Sequence, residues 1–260
     1  LKGIATVTRQ KYLTASEKGP WANSYDRWRN DNLTNRYQGV QFGYTSAGRY
    51  TSWNDIWNYY GFKERDVLPG DYKYEDWNGD GEINGQDEHP FAFDQTPWLQ
   101  FSLNAGLQWK NLDFNMLLQG SALGSMEYKE PLHEIWGKNG GGALTQFLDR
   151  WHPVDPKADP YDPSTVWTSG HYAYTGRWAK NNSAFNRVST AYLRLKSIEL
   201  GYTFPKLKQI PNASLRIYAN AYNLLTFTGV KFVDPEHPDD DLGRMYPLNK
   251  TYTLGVSLSF

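Results

Sequence analysis

The chain has no cysteine among its 260 residues. This excludes a disulfide framework, Cys-ligated zinc and thiol redox chemistry, and it accords with an envelope protein without specifying a compartment. Long hydrophobic runs are missing too. No apolar stretch approaches the roughly 18–20 residues a membrane helix needs, and mean hydropathy is −0.71. Nor does charge of one sign accumulate. The 27 Lys and Arg stand against 28 Asp and Glu, a formal net charge of −1, so there is no basic footprint for nucleic acid. Catalytic signatures of the HExxH, GxSxG, Walker and GxGxxG types are absent. His89, His152, His171 and His237 are scattered among Pro-rich loops, and His133 merely adjoins Glu134. Asp149 with Asp155, and the run Asp239–Asp241, read as solvated loop charges. The expectation is that the chain is not an enzyme.

Low hydropathy leaves one membrane architecture open, because only alternate residues of a transmembrane β-barrel face lipid. What the chain does have is aromatic residues, 16% of the total, with 19 Tyr, 12 Phe and 11 Trp. It also has alternation with a period of two. In "TYTLGVSLSF" Tyr252, Leu254, Val256, Leu258 and Phe260 share one face, and the Thr, Gly and Ser residues between them share the other. "WLQFSLNAGLQWK", "LDFNMLLQGSA" and "SLRIYANAYNLLTF" repeat the pattern, each near the length that crosses a bilayer when tilted. "AYLRLKSIELGYTF" changes phase between Leu195 and Ile198, which predicts a β-bulge near Lys196–Ser197. "GIATVTRQKYL" is a weaker strand with mixed faces, and Arg9 and Lys11 lie near its outer end.

About six long strands follow, with short links at 110–112 and 205–212 and long connections at 16–97, 124–187 and 229–249. All the short links fall at one end and all the long connections at the other. Long stretches read as coil are uncommon in soluble domains but normal on the outer face of outer-membrane barrels. A soluble sandwich also shows one-faced strands; the loop asymmetry, the Trp and Tyr near strand ends and the terminal Phe260 favour the barrel. Six strands leave open edges that lipid does not tolerate. Residues 1–260 are therefore expected to be one part of a larger barrel.

The stretches "PGDYKYEDWNGDGEINGQDE", "FNMLLQGS", "AYLRLKSIELGYTFPK", "SLRIYANAYNLLTFTGV", "VDPEHP" and "YPLNKTYTLGVSLSF" follow one another as in the C-terminal part of SusC/RagA-type TonB-dependent transporters of Bacteroidetes. The chain resembles that family from Pro69 onward, and less closely before it. The resemblance implies an all-β fold, in which about six C-terminal strands belong to an antiparallel transmembrane barrel of twenty-two strands with long extracellular loops. It further implies an outer-membrane location, a plug elsewhere in the protein, a SusD-like surface lipoprotein as lid, and drive from TonB–ExbB–ExbD. Cargo would be an oligosaccharide, with oligopeptides as the alternative in the same family. The rival from another class is a secreted carbohydrate-binding β-protein with a calcium-stapled loop.

Two groups of residues are candidate sites. In "EDWNGDGEINGQDEHP", Asp76, Asn78, Asp80 and Asp87, with the carbonyl of Glu82, fall at calcium-loop spacing. Gly81 stands at the turn and Ile83 serves as an apolar pin. Position twelve is Asp rather than Glu, and neither flank reads as a helix. An ion here would be a structural Ca2+ staple rather than a sensor. The bland alternative is an Asn-Gly-Asp-Gly turn with no ion. "DPEHPDDD" has the composition for a second cation but no diagnostic spacing. The second group is the aromatic stretches Ser52–Tyr60, Glu134–Gly142, Leu148–Pro156 and Trp167–Trp178. They suit sugar stacking, a protein interface or simple loop packing.

Overall fold

The structure, a computed structural model, describes residues 1–14, 34–59, 67–129, 132–133, 135, 143–176, 179–180, 182–205, 213–237 and 245–260. Its frame is a six-stranded antiparallel sheet. The strands are β1 (Lys2–Val7), β6 (Leu99–Trp109), β7 (Leu112–Ala122), β12 (Tyr192–Phe204), β13 (Ser214–Thr228) and β14 (Thr251–Ser259), in the order β1-β6-β7-β12-β13-β14.

The register carries the period of two across the whole sheet. Gly3, Leu103, Leu118, Leu195 and Leu225 form one continuous row. Thr6, Gln100, Ser121, Tyr192 and Thr228 form another on the opposite face. Directly opposed residues in an antiparallel pair point the same way. One face is therefore apolar from β1 to β14, and the other carries amides, hydroxyls and a few charges. The predicted bulge is present: the register of β12 shifts between Leu195 and Ser197 against both neighbours. On the β13 side two residues, Asn223 and Leu224, stand against the single Lys196, and Asn223 takes φ +53°. Period-two reading misses this second irregularity because adding two residues preserves phase.

The apolar face is not a core. Leu254 is 77% exposed and Phe227 64%, and nothing among the described residues covers them. A soluble domain does not leave so continuous an apolar face in water. The fully buried large apolar side chains, Ile56, Leu68, Met126 and Phe147, belong to the connections instead. No described helix is long and apolar enough to cross a membrane, which says nothing about crossing by strands.

The connections depart from the expectation of coil. The first contains β2 (Gln41–Gly43), β3 (Ser46–Arg49), α1 (Trp53–Asn58), β4 (Tyr72–Tyr74) and β5 (His89–Ala92), with β2 paired to β5 and β3 to β4. The second contains β8 (Ser125–Glu127), β9 (His152–Pro153), β10 (Trp167–Thr168) and β11 (Arg187–Ser189), paired β8–β11 and β9–β10. Strands of two to four residues are too short to show periodicity. At the other end of the sheet, β6 turns into β7 through Lys110 and Asn111 alone, with Lys110 at φ +54°. Most of the link between β12 and β13 lies outside the described residues.

Candidate functional site

The polar face carries two charged clusters. Toward the short-turn end, Arg216 of β13 bonds Asp113 of β7 (Nε to Oδ1, 3.1 Å) and Glu199 of β12 (Nη2 to Oε1, 2.7 Å). Its guanidinium also lies 4.8 Å from the centre of the Tyr218 ring. Tyr218 stands opposite Gly255 of β14. A Cβ there would run into the Tyr218 ring, so glycine makes room for the aromatic side chain.

Toward the long-loop end, Arg194 of β12 is wholly buried. It bonds Glu236 and Asp234 at 2.6 Å each and donates to Thr226 at 3.1 Å. Its guanidinium also sits 4.9 Å from the Tyr192 ring centre. Three further contacts hold the segment after β13. Tyr128 Oη donates to the carbonyl of Lys231 and accepts from its N–H, both at 2.9 Å, and Gln95 Nε2 bonds the carbonyl of His237. Residues 229–237 thereby form a strap over the polar face. The idea of a second cation in "DPEHPDDD" meets a different arrangement, since Asp234 and Glu236 are both ion-paired with the Arg194 guanidinium. Residues 238–241 lie outside the described residues. Sequence reading missed this cluster. Its signal was a lone Arg between two Leu in "YLRLK", on the polar phase of the strand, where an unpaired buried guanidinium is too costly to leave.

The predicted calcium loop is a tight turn closed on itself. Asp76 accepts the N–H groups of Gly79 and Gly81, both at 2.8 Å. Asp80 accepts Glu82 N–H at 2.8 Å and the Asn78 amide at 3.0 Å. Asp87 is completely buried and takes Trp77 N–H at 3.0 Å and Asn84 N–H at 2.7 Å. It also ends the 3₁₀ turn Gly85–Asp87 in a capping box with Asn84. Among the described residues no three acidic or histidine side chains are gathered as a metal site. Burial, with the nearby Asp76 charge also acting upward, pushes the Asp87 carboxyl above the usual carboxylate range despite its backbone bonds. A divalent cation would relieve that penalty only by displacing the backbone N–H groups that both Asp87 oxygens already accept. Asp76, Asn78, Asp80 and Asp87, with the carbonyl of Glu82, are the groups that would hold it.

The aromatic stretches mostly pack the loops. Tyr50, Ile56 and Val67 form a small core with Trp53 and Tyr59 against it. A second core joins Ile135, Phe147 and Tyr172. Arg49 ties the two connections together. It lies 4.4 Å from the Tyr72 ring centre and 5.4 Å from that of Phe185, donates to Gly70 O at 2.7 Å and also bonds His171 O. Burial, and then the Arg49 charge, hold His171 below its ordinary range. Trp57 and Tyr161 do face outward, 63% and 60% exposed. Tyr60, Glu134, residues 136–142, Arg177 and Trp178 lie outside the described residues.

With two faces to the sheet and its loops gathered at one end, the chain can be compared with known proteins. No protein-family profile matches it. It is 28% identical over 211 residues to TonB-dependent receptor P3 of Formosa agariphila, covering 75% of this chain and 19% of that protein. It is 27% identical over 239 residues to TonB-dependent receptor P26 of the same organism, covering 86% and 22%. Among solved structures, the RagAB peptide transporter superposes with a TM-score of 0.55 at 20% identity, covering 85% of this chain and 22% of that one. The RagAB peptide importer in its "closed-closed" state gives 0.51 at 20% identity, covering 88% and 23%. Over most of its length the chain is similar to TonB-dependent receptors. It spans about one fifth of the length of the curated relatives it matches. The fold is accordingly all-β, a sheet of the kind that forms part of a larger barrel. The relatives are named as receptors and transporters.

Proposed function

We propose that the chain is part of the barrel of an outer-membrane, TonB-dependent active importer. The apolar face meets outer-membrane lipid, the polar face lines the lumen, and β1 and β14 pair with the remaining strands of the same transporter. The observation that carries this reading is the sheet itself. One face is apolar and exposed across six strands, the other is polar, and every long connection leaves from the same end. That division matches the demands of a bilayer on a barrel wall. The long connections then lie outside the cell, where a SusD-like lipoprotein would dock over them, and TonB–ExbB–ExbD would act through a plug elsewhere in the protein.

Glycans are the cargo we favour. Outward-facing Trp57 and Tyr161 offer flat apolar surfaces suited to sugar rings, and the uncharged amides and hydroxyls of the polar face suit a neutral cargo. Oligopeptide cargo is the second reading; RagAB is named a peptide importer, and at 20% identity that likeness speaks for fold alone. The test is uptake of labelled oligosaccharides and oligopeptides by cells carrying the complete gene, with and without TonB. Uptake of oligosaccharide that disappears with TonB supports the reading. Uptake that survives loss of TonB replaces it with a passive pore.

A further inference from the structure

On its apolar face, the part of the sheet made by β12, β13 and β14 carries stacked rows of apolar residues. The row nearest the short-turn end is Phe204, Leu215 and Leu258; the row nearest the loop end is Ile198, Ala221 and Tyr252. Small residues interrupt the rows at β13. Ala221 stands between Ile198 and Tyr252, and Ala219 between Leu200 and Leu254. Ala221 is buried by its taller neighbours, whereas Tyr252 is 68% exposed. The result is an open apolar groove of about 500 Å³ on this face. Two rows long and one small side chain wide, it has the shape of an extended hydrocarbon chain.

At the loop end of the groove the chemistry changes. Lys250 immediately precedes β14, on the same phase as Tyr252 and Leu254, and is exposed. It lies one step past the Tyr222–Thr251 pair, beside Asn223. Lys196 is the extra residue of the β12 bulge, set against Asn223 and Leu224, and is half-buried. Among the described residues neither lysine has an ion-pair partner. Asn223 donates from Nδ2 to the carbonyl of Asn249 at 3.1 Å, and its Oδ1 is buried without a partner. Lys196 and Lys250 each lie eight positions from the row at the short-turn end, from Phe204 and Leu258. At about 3.3 Å per residue and a tilt near 40° this is about 20 Å of height, close to that of a barrel's apolar band. Two ammonium groups thus stand at the edge of an apolar surface, where a charge calls for a counter-charge.

We propose that this groove and the two lysines bind a phosphorylated, acylated glycolipid of the outer leaflet. An acyl chain lies over Ala219 and Ala221, a phosphate sits between Lys196 and Lys250, and a sugar hydroxyl donates to Asn223 Oδ1. The leaflet follows from the long connections, which leave from the same end of the sheet as the lysines. A zwitterionic phospholipid suits the site less, because its own ammonium group faces two others. The assignment rests on the reading above that the apolar face meets outer-membrane lipid. It adds a surface and a partner.

The test uses the complete transporter, stripped of lipid in detergent and analysed by native mass spectrometry with added lipid A. One copy should be retained, about tenfold or more tightly than dephosphorylated lipid A, phosphatidylglycerol or phosphatidylethanolamine. Lys196→Gln with Lys250→Gln should weaken retention by about tenfold or more. Ala221→Leu, which fills the groove and leaves both lysines, should do the same. Lys110→Gln, at the other end of the sheet, should change nothing. Heat-resistant migration on a gel checks that each variant assembles; the lysine pair, having no partners to lose, keeps the test available should Ala221→Leu not assemble. Three results overturn the proposal: lipid A held no more tightly than phosphatidylethanolamine; equal retention by the wild type and the double lysine variant, which marks annular lipid only; or phosphatidylglycerol held as tightly as lipid A. A nitroxide at Val256, outside the groove, separates this from the reading beneath it. In vesicles it should be accessible to oxygen and shielded from a water-soluble nickel chelate. If it is, and lipid A is not retained, the glycolipid site alone falls; a label reached from water rather than from lipid overturns both.

Discussion

Arg216 reaches Asp113 by crossing over Gly201, although the strands that carry the two charges do not pair with each other. Gly201 lies on β12 between them, opposite Asp113 on one side and Tyr218 on the other. A Cβ at Gly201 would sit 2.5 Å from Arg216 Nη2 and 2.7 Å from the Asp113 carboxylate. Gly201→Val should therefore separate the two charges. In an Asp113→Ala background the same change should cost much less. A double-mutant cycle on urea unfolding of the complete barrel measures the coupling. We expect about 1 kcal/mol or less, because the bridge is open to solvent on this face. Strict additivity would mean that the glycine serves something other than the bridge.

Leu103 lies near the middle of β6, in the row with Leu118 and Leu195. If this face meets lipid, Leu103→Arg should destabilise the barrel in vesicles by about 2–4 kcal/mol. Asn104→Arg, one residue on and facing the other way, should stay within about 0.5 kcal/mol. Equal effects would remove the distinction between the faces.

Arg194→Ala leaves Asp234 and Glu236 without their shared cation and opens a void beside Tyr192. The strap, rather than the sheet, should loosen, by about 1–3 kcal/mol of local stability. Faster proteolytic nicking within 229–237, with unchanged unfolding of the barrel, is the expected pattern. Arg194→Lys restores charge but not the two-armed geometry and should rescue only partly.

Calcium should enhance the order of residues 70–90 without changing the strands. Trp77 lies inside the loop, so terbium bound in place of calcium should luminesce when tryptophan is excited, and calcium should displace it. Asp80→Ala should abolish that signal while the barrel assembles normally. No luminescence in the wild type would leave the loop as the hydrogen-bonded turn already described.

Asp55, in the first turn of α1, predicts a pH response. Burial acts to raise its carboxyl, but the bond from Lys73 Nζ at 2.7 Å, the Thr51 N–H at 3.1 Å and the Lys73 charge outweigh it and hold the group below the usual carboxylate range. A depressed carboxyl stabilises the fold above the ordinary carboxylate value and loses that contribution as pH falls through its own lower value. Amide protection in α1, taken relative to the intrinsic exchange rate at each pH, should be steady from neutral pH to the ordinary carboxylate range, about pH 4, and fall below it. Asp55→Asn should flatten the profile.

The alternation in β6, β7, β12, β13 and β14 was legible in the sequence because a sheet with two different faces stamps a period of two on its strands. The bulge at Lys196 was legible for the same reason, since one extra residue reverses the phase. The asymmetry of the connections followed from counting residues between strands. None of this required knowing what touches what. Strand order, the register that aligns Thr6 with Gln100, Ser121 and Tyr192, and the pairing of the short strands within the loops were decided by tertiary structure. These depend on contacts between residues far apart in the chain, and segments of two to four residues carry too little pattern to announce a partner. Arg194 shows the difference most sharply. As a letter it is one charge among apolar neighbours. Only folding brings Asp234 and Glu236, forty and forty-two positions away, to within 2.6 Å of it, because a buried guanidinium must be paired and the strap is the element that can reach it.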